Sequence, residues 1–356
     1  MRMRSSVRDA LLHFYDQHAR DLPWRRTRDP YAIWVSEIML QQTRVDTVLR
    51  YYDRFLARFP TTAALAGATE DDVLSAWSGL GYYRRARLLH TGVREVVAHY
   101  GGQVPEDPAA RLELPGIGRY TAGAIGSIAF DRAEPIVDGN VARVLCRLHA
   151  IDTPLGRADT DALLWEHATV LAQGPRPGAL NQALMELGAT LCSKSAPSCE
   201  RCPLRAHCQA HAQGRAQALP VARRKAPPKA VHWIAVAALS ASSDAVVLAR
   251  GQSALFGGLW NLPMSEGHDA DDAKRTLHDL GISARLTRQP RTKLEHVLSH
   301  RHLHVTLYIA RLSKLPRTPT LRLLPVAELA LVGVSSLTSK ALAHVFPGDV
   351  APARRT

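Results

Sequence analysis

The stretch Cys192-Ser-Lys-Ser-Ala-Pro-Ser-Cys199-Glu-Arg-Cys202-Pro-Leu-Arg-Ala-His-Cys208 brings four cysteines close together along the chain. Four thiols at this spacing, with one C-x2-C pair, can converge on a single metal centre. Two disulfides are the alternative, but the N-terminus has no signal-peptide pattern, so we expect a reducing cytoplasm and free thiols. Zinc and a 4Fe–4S cluster both accept four thiolates. The spacing alone does not decide between zinc and a 4Fe–4S cluster.

Length and charge limit the possible partners. A chain of 356 residues can hold two domains, each with its own core. The formal net charge of +13 and the sequence pI of about 9.9 favour a polyanionic partner, with nucleic acid first. We expect no membrane span, because apolar runs of about eighteen residues do not occur. Residues 1–193 contain no lysine, so Arg and His supply every side-chain cation there.

Helical periodicity dominates the region before the cysteines. Residues 5–20 predict an amphipathic helix, and Asp29-Pro30 predicts the start of a second one, since Pro suits a first helical turn. Its continuation, 31–43, is apolar on nearly all sides and should be buried, with Glu37 as its only charged residue. Further helices are predicted at 44–59, 70–77, 84–99, 160–173 and 179–191.

Residues 108–129 predict two helices joined by the turn Leu114-Pro-Gly-Ile-Gly118. Gly116 and Gly118 let the backbone approach a partner closely, and the free N–H groups that begin the second helix can bind phosphate. A P-G-x-G sequence alone is more often an ordinary turn. The flanking helices and the basic charge favour a phosphate-binding hairpin at this turn.

The pattern changes after the cysteines. Residues 209–229 contain no acid and several prolines, which predicts an extended, solvated basic linker. Strand-like alternation then appears at 231–239, 245–249 and 303–309. Helices are predicted at 270–280, 325–330 and 336–345. The fifth cysteine, Cys146, sits in a regular apolar pattern and is predicted to be a core residue.

Several motifs together resemble one known family. They are Trp34-Val-Ser-Glu-Ile-Met-Leu-Gln-Gln-Thr43, Gly79-Leu-Gly-Tyr-Tyr83, Leu114-Pro-Gly-Ile-Gly118, Val137-Asp-Gly-Asn140 and the four cysteines. In this order they resemble the MutY adenine DNA glycosylases of the helix-hairpin-helix superfamily. The resemblance implies a mostly α glycosylase domain at 1–208 that includes the iron–sulfur loop 192–208. It also implies an α+β Nudix-like domain at 230–350, after the linker 209–229.

The resemblance also implies an activity and partners. The protein is expected to be a monofunctional glycosylase that flips out and removes adenine mispaired with 8-oxoguanine or guanine, leaving an abasic site in base-excision repair. The implied cofactor is a 4Fe–4S cluster rather than zinc. The implied partner is double-stranded DNA with 8-oxoguanine:A or G:A mispairs. We further expect a monomer in the bacterial cytoplasm, associated with the nucleoid.

Two acids can divide the chemistry of N-glycosidic cleavage, which needs a proton for the leaving base and a charge that stabilises a cationic sugar. Glu37 lies in an apolar helix that favours its neutral form, so it could protonate adenine N7. Asp138 precedes a helix whose N-terminus should keep it ionised, so it could stabilise C1′. The alternatives are a surface glutamate and a simple helix cap.

Other roles come from the resemblance alone. It places Tyr120 and Asn140 beside the two catalytic carboxylates, and it places Gln42 and Tyr82 as wedges that fill the gap left by the flipped base. The implied contacts to the flipped adenine and to the oxidised base come from Arg25, Leu40, Val45 and Gln182 and from Thr43 and Leu80, respectively. Gln182 replaces an acid found in some relatives.

The second domain contains Leu255-Phe-Gly-Gly-Leu-Trp-Asn-Leu-Pro263, which resembles the Nudix fold. Nudix hydrolases hold Mg²⁺ with a run of glutamates, whereas 273–281 contains no Glu, so we expect recognition without hydrolysis. In the family a Phe-Ser-His loop probes 8-oxoguanine. Here Ser299 and His300 keep that pattern, and Leu298 replaces the Phe.

Two other functions were weighed. An endonuclease III-like glycosylase and lyase on oxidised pyrimidines would use a lysine in the hairpin region, but Tyr120 occupies that position and a phenol cannot form an imine. A non-enzymatic iron–sulfur protein that binds DNA would not need Glu37 or Asp138, and both are present.

Overall fold

A computed structural model of the chain describes residues 2–222, 227–251, 255–298 and 300–348, with the side chains of 2–5 and 330 excepted. The chain divides into two compact units. Unit 1 comprises Met1–Gly67 and Leu88–Lys225, and unit 2 comprises Ala68–Arg87 and Ala226–Thr356. This division differs from the predicted domains in two respects. Unit 1 includes residues 209–225 of the predicted linker. Ala68–Arg87 lies early in the sequence but groups with the C-terminal residues.

Unit 1 is helical in the part of it that the structure describes. Its helices are α1 (Arg2–His18), α2 (Pro30–Leu40), α3 (Val45–Val48), α4 (Tyr52–Arg58), α5 (Thr62–Gly67), α7 (Arg84–His99, from Leu88 onward), α8 (Pro108–Glu113), α9 (Arg119–Ile128), α10 (Gly139–Leu148), α11 (Ala158–Ala172), α12 (Pro177–Thr190) and α13 (Gln209–Ala212). Between α5 and α7, unit 2 contributes α6 (Glu70–Ala76).

Local sequence explains how α2 begins and why it is central. The Asp29 carboxylate accepts a hydrogen bond from the Tyr31 N–H, and Pro30 occupies the first turn. Residues 31–39 are all buried, as their apolar sequence predicts. A second buried layer joins α1, α10 and α12, and Cys146 lies fully buried in it. The core prediction for Cys146 is therefore confirmed.

The predicted helix at 44–59 is wrong as a single element. Hydrogen bonds from Arg50 N–H to Thr47 and from Tyr51 N–H to Val48 close tighter i→i−3 turns between α3 and α4. Leu49, an apolar residue at this break, is 38% exposed, whereas the adjacent Val48 is fully buried.

The prediction of an extended, solvated linker is also wrong for its first half. Residues 209–212 form α13, and both Ala210 and Leu219 are buried. The Leu155 N–H donates to the Val221 carbonyl, so this segment packs onto unit 1 through apolar and backbone contacts. Residues 223–226 of the predicted linker lie outside the described residues.

Unit 2 is built on a mixed sheet. Its described strands are β1 (Lys229–Leu239), β2 (Ala245–Arg250), β3 (Trp260–Asn261), β4 (Met264–Glu266), β5 (Ser283–Leu286), β6 (Thr292–Val297), β7 (Arg301–Lys314) and β8 (Leu321–Pro325). The order β3-β2-β1-β7-β5 forms the main path, with β4 on β1, β6 on β7 and β8 on β2. The long central pair β1 and β7 is parallel, with Lys229 opposite Arg301 and Leu239 opposite Arg311.

Alternating residues of the sheet form two cores. One face of β1 and β7 packs with α15 (Ser336–Val345) through residues such as Leu307 and Leu337. The other face packs with α14 (Ala270–Asp279) through residues such as Tyr308 and Leu277. The strands predicted at 231–239, 245–249 and 303–309 and the helices predicted at 270–280 and 336–345 are confirmed. The helix predicted at 325–330 is a short 3-10 helix at Val326–Leu331. Within the described ranges, no helix is both long enough and apolar enough to cross a bilayer.

Candidate active site

A cavity of about 660 Å³ opens in unit 1 where α2, α9, α10 and α12 meet. Most of the site residues expected from the sequence line it. These are Arg25, Glu37, Leu40, Gln42, Thr43, Val45, Gly118, Tyr120, Asp138, Asn140 and Gln182. The folding of unit 1 therefore brings together residues that are up to 157 positions apart in sequence (Arg25 and Gln182).

Glu37 projects from the buried helix α2 and is 4% exposed. The pKa of its carboxyl is raised to about 7, chiefly because burial removes it from water and also because the Asp138 carboxylate lies nearby. The Tyr120 O–H donates a hydrogen bond of 2.7 Å to Glu37 Oε2, which lowers the pKa, as does the charge of Arg25. Near neutral pH, Glu37 can thus hold a proton and also release one, as a general acid must.

Asp138 caps α10. Its Oδ1 accepts from the Val141 N–H at 2.7 Å, and its Oδ2 accepts from the Asn140 side-chain amide at 3.1 Å. Burial raises the pKa of this carboxyl above its ordinary value, and these hydrogen bonds oppose the rise because they favour the ionised form. The sequence reasoning considered only the helix terminus and missed the desolvation.

A hydrogen-bonded chain connects Asp138 to the cysteine loop. Asn140, which donates to Asp138, accepts at its Oδ1 from Arg143 Nη2 at 2.8 Å. Arg143 also donates through Nε to the Cys192 carbonyl at 2.7 Å and through Nη2 to the Gly188 carbonyl at 2.6 Å. The position of the Asp138 carboxylate is therefore coupled to the backbone of the cysteine loop. The sequence reasoning did not identify Arg143.

Glu186 is a second residue that the sequence reasoning missed. It is fully buried on α12, where it pairs with Arg20 at 2.7 Å and with Arg25 at 2.7 Å. Burial tends to raise the pKa of Glu186, but hydrogen bonds from both arginines outweigh that effect and lower it. Glu186 thus holds the Arg25 guanidinium at the cavity wall. It is the lone acid of an otherwise uncharged helix, one turn after Gln182, and the reasoning that singled out Glu37 could have found it.

The expected wedge residues share an unusual backbone. Gln42 in unit 1 has φ 58° and Tyr82 in unit 2 has φ 48°, both in the left-handed region that residues other than glycine rarely adopt. Both side chains are exposed, Tyr82 to 50%. Such local strain is frequent at binding and catalytic sites. Leu80, by contrast, has a buried side chain that is 2% exposed.

The hairpin between α8 and α9 has the predicted form. Gly116 has φ 82°, and a Cβ there would come within 2.8 Å of Leu88 Cβ, so both backbone and space require glycine. Gly118 precedes α9 without a side-chain cap, and a Cβ there would meet open space. The N–H groups at the start of α9 are therefore accessible to an anion such as a phosphate.

The four cysteines of the loop line one small cavity together with Arg147. All four thiols are free of disulfides, as the sequence predicted. The buried Arg147 donates from Nη1 to Cys192 Sγ at 3.2 Å and to the Ser193 carbonyl at 2.7 Å. Burial raises the pKa of the Cys202 and Cys208 thiols. Four sulfur donors around one space fit a metal centre bound by four cysteines.

The predicted lesion-reading loop joins β6 and β7 in unit 2. Leu298 packs against the unit 2 core, and His300 is exposed. Ser299 lies outside the described residues. On α14, the first-turn acids Asp271 and Asp272 pair with Lys274 and Arg275, and the helix has no glutamate.

Comparisons with known proteins agree with this architecture. A family model described as HhH-GPD superfamily base excision DNA repair protein matches residues 35–168, and a NUDIX domain model matches residues 234–344. The adenine DNA glycosylase of Rattus norvegicus is 49% identical over 228 residues, which cover 61% of this chain and 44% of that protein. The adenine DNA glycosylase of Arabidopsis thaliana is 40% identical over 309 residues, or 76% of this chain and 49% of that protein.

Among solved structures, a thermostable thymine-DNA glycosylase aligns with 30% identity and a TM-score of 0.53, over 60% of this chain and 98% of that one. The chain spans about half the length of the two curated relatives described above. Both domain matches occur in the predicted order, and the first includes Glu37, Tyr120 and Asp138. The chain belongs to the MutY family of helix-hairpin-helix DNA glycosylases and has a C-terminal Nudix-like domain.

Proposed function

We propose that this protein is a monofunctional adenine DNA glycosylase that removes adenine from mispairs in duplex DNA. The observation that carries the proposal is the pair of carboxyls in one cavity, buried Glu37 and half-buried Asp138. Their environments differ, because Glu37 accepts one hydrogen bond from a phenol and Asp138 accepts two from amide groups. Such a difference lets one group carry a proton while the other carries a charge.

The target adenine must leave the base stack to reach this cavity. Protonated Glu37 would donate to N7 of the flipped adenine, which makes the base a neutral leaving group. Ionised Asp138 would stabilise the positive charge that develops at C1′. Tyr120 orients the Glu37 carboxyl, and Asn140 orients the Asp138 carboxylate. Arg25, fixed by Glu186, and Gln182 line the wall against which the base would rest.

The reaction would stop at an abasic site. A β-elimination lyase forms an imine between a lysine amine and the opened sugar. Tyr120 occupies the hairpin position where lyase relatives place that lysine, and its O–H donates a hydrogen bond to Glu37. Residues 1–193 contain no lysine that could replace it. Borohydride should therefore trap little protein on DNA. Efficient trapping at Lys194, the first lysine of the chain, would contradict this part of the proposal.

We propose a 4Fe–4S cluster as the resident group of Cys192, Cys199, Cys202 and Cys208. Family membership and the shared cavity of the four thiols support it. When bound, the cluster would hold the loop together as a four-point crosslink. Metal analysis of purified protein should find about four iron atoms per chain. One zinc atom and no iron would overturn the assignment.

We propose that the second domain, residues 230–350, favours 8-oxoguanine over guanine opposite the adenine. Its support is the sequence Leu298-Ser299-His300 between β6 and β7, the exposure of His300, and the absence of glutamates on α14. The full-length double variant Ser299→Ala/His300→Ala should excise from G:A pairs at the wild-type rate and lose most of its preference for 8-oxoguanine:A pairs. His278→Ala, at an exposed site on α14, is the matched control. An unchanged preference in the double variant would show that the loop serves another purpose.

The same proposal includes binding to duplex DNA as a monomer in the bacterial cytoplasm. The formal charge of +13 and the accessible N-terminus of α9 support a phosphate-backbone partner. Affinity for duplex DNA should fall steeply as salt rises, and sedimentation should report a single chain. Salt-independent binding would contradict a backbone-dominated contact.

A further inference from the structure

A cluster of two imidazoles and one carboxylate lies on the sheet of unit 2, which does not contain Glu37 or Asp138. His302 and His304 are two positions apart on β7, so both side chains leave the same face. Glu295 on β6 stands directly opposite His304 in the strand register. One nitrogen or oxygen from each of the three residues lies within 4.8 Å of those of the other two.

The separations approach those of a coordination shell. His302 Nε2 is 3.3 Å from Glu295 Oε2, and His304 Nδ1 is 3.8 Å from Glu295 Oε1. Zinc binds such atoms at about 2.0–2.1 Å, which places neighbouring tetrahedral ligands about 3.3–3.4 Å apart. Small rotations of the two imidazoles would bring all three donors to that distance. The backbone need not move, because the strand register already sets the spacing.

The environment of the His302 Nε2 atom also supports a metal site. Its Nε2 is shielded from solvent and makes no hydrogen bond to the described part of the chain. A shielded nitrogen that makes no hydrogen bond is unfavourable, even with the Glu295 carboxylate 3.3 Å away. The nitrogen faces Glu295, whose side chain is 68% exposed, so the cluster is open to an ion on its outer side. A metal ion would satisfy this nitrogen and leave an outer position for water.

We propose that Glu295, His302 and His304 form a binding site for a divalent transition metal ion, with Zn²⁺ as the preferred occupant. Imidazole and carboxylate without thiolate suit zinc and its first-row neighbours, whereas Mg²⁺ and Ca²⁺ prefer oxygen donors throughout. Two more imidazoles, those of His232 and His268, lie close to the three proposed ligands. The His232 ring stacks 5.2 Å from that of His304, and the His268 ring lies 4.8 Å from that of His232.

The site would tie together the strands that carry the predicted lesion-reading loop. Glu295 lies on β6 before residues 298–300, and His302 and His304 lie on β7 after them. An ion bound here would crosslink the base of this hairpin. Its effect on base preference rests on the proposed function, but its binding does not, so failure of one can be told from failure of the other.

Calorimetric titration of the full chain, with its cysteine loop loaded as purified, would test the site with Zn²⁺. Wild type should bind one equivalent. His302→Ala and His304→Ala should each weaken the affinity by at least about 100-fold, because loss of a direct ligand exceeds the 10–100-fold effect of losing its supporting partner. His278→Ala, which removes an exposed imidazole 3.6 Å from Asp279 on α14, should bind as wild type does.

Absence of zinc binding in wild type would overturn the proposal, and this result does not depend on how any variant folds. Wild-type affinity in folded His302→Ala/His304→Ala, checked by circular dichroism, would also overturn it. Titration with Co²⁺ locates the ion by spectroscopy. Visible bands of nitrogen and oxygen ligation are expected, and thiolate charge-transfer absorption would assign the metal to the cysteine loop and refute the site.

Discussion

Replacing Glu37 by Gln is expected to abolish adenine excision and to stabilise unit 1 at alkaline pH. The carboxyl is buried and has a pKa of about 7, against an ordinary value of 4.5. Between these values the folded chain binds a proton that the unfolded chain has released. The resulting stability is therefore complete below pH 4.5 and is lost as the pH rises through 7. Gln has a similar volume and no proton to lose.

The difference of about 2.5 in pKa, at about 1.36 kcal/mol for each pH unit, sets a ceiling of about 3 kcal/mol. Between pH 5.5 and 8.5, Glu37→Gln should gain about 2 kcal/mol of stability relative to wild type. For a unit of this size, that corresponds to a difference of about 4–8 °C in Tm between the two pH values. Single-turnover excision should be lost at both pH values, because Gln cannot deliver a proton.

Thermal unfolding and single-turnover excision, each at pH 5.5 and 8.5, provide the assay. Glu166→Gln, an exposed position on α11, is the matched control and should show neither effect. Two results would refute the reasoning. Excision within tenfold of wild type would remove Glu37 from the role of acid, and a stability difference independent of pH would show that burial does not perturb its carboxyl.

Three further predictions concern the neighbours of Glu37. Asp138→Asn should slow excision by at least about 100-fold, as expected when a charge that stabilises the transition state is removed; a smaller loss would leave Asp138 as a helix cap. Tyr120→Phe removes a hydrogen bond that lowers the pKa of Glu37, so the alkaline decline of the excision rate should move up by about one pH unit. A downward move would contradict that contact. Arg143→Gln removes the hydrogen bonds that connect Asn140 to the Cys192 carbonyl, so it should slow excision while the iron content stays unchanged. Arg143→Lys should give an intermediate rate. Equal excision rates in wild type and both variants would show that this connection does not affect catalysis.

Local sequence signals predicted much of this fold. The Asp29-Pro30 start of α2, the turn with Gly116, and the alternation of β1 side chains between the two cores of unit 2 all follow from rules that act within a few residues. The helix break near Leu49 did not, because the apolar positions on either side fit one continuous helix. The packing of Leu219 onto unit 1 also escaped prediction, since contacts distant in sequence decide it.

The candidate site shows the same limit. Glu37 was recognisable as a lone acid in an apolar helix, and the family motifs supplied Tyr120, Asp138 and Asn140. Glu186 was recognisable in the same way, but the contacts between residues of different elements were not. Glu186 holds Arg25 across 161 positions of sequence, and Arg143 reaches the cysteine loop across 49. Such pairings depend on how α10 and α12 pack, which no single stretch of sequence encodes.

The central claim is that the cavity of Glu37 and Asp138 excises adenine and leaves the strand intact. The most direct measurement incubates the purified full chain with an 8-oxoguanine:A duplex, labelled on the adenine strand, and treats half of each sample with alkali before a sizing gel. We predict cleavage at the adenine position chiefly in the alkali-treated half. An uncut strand in both halves, or efficient cutting without alkali, would contradict the account.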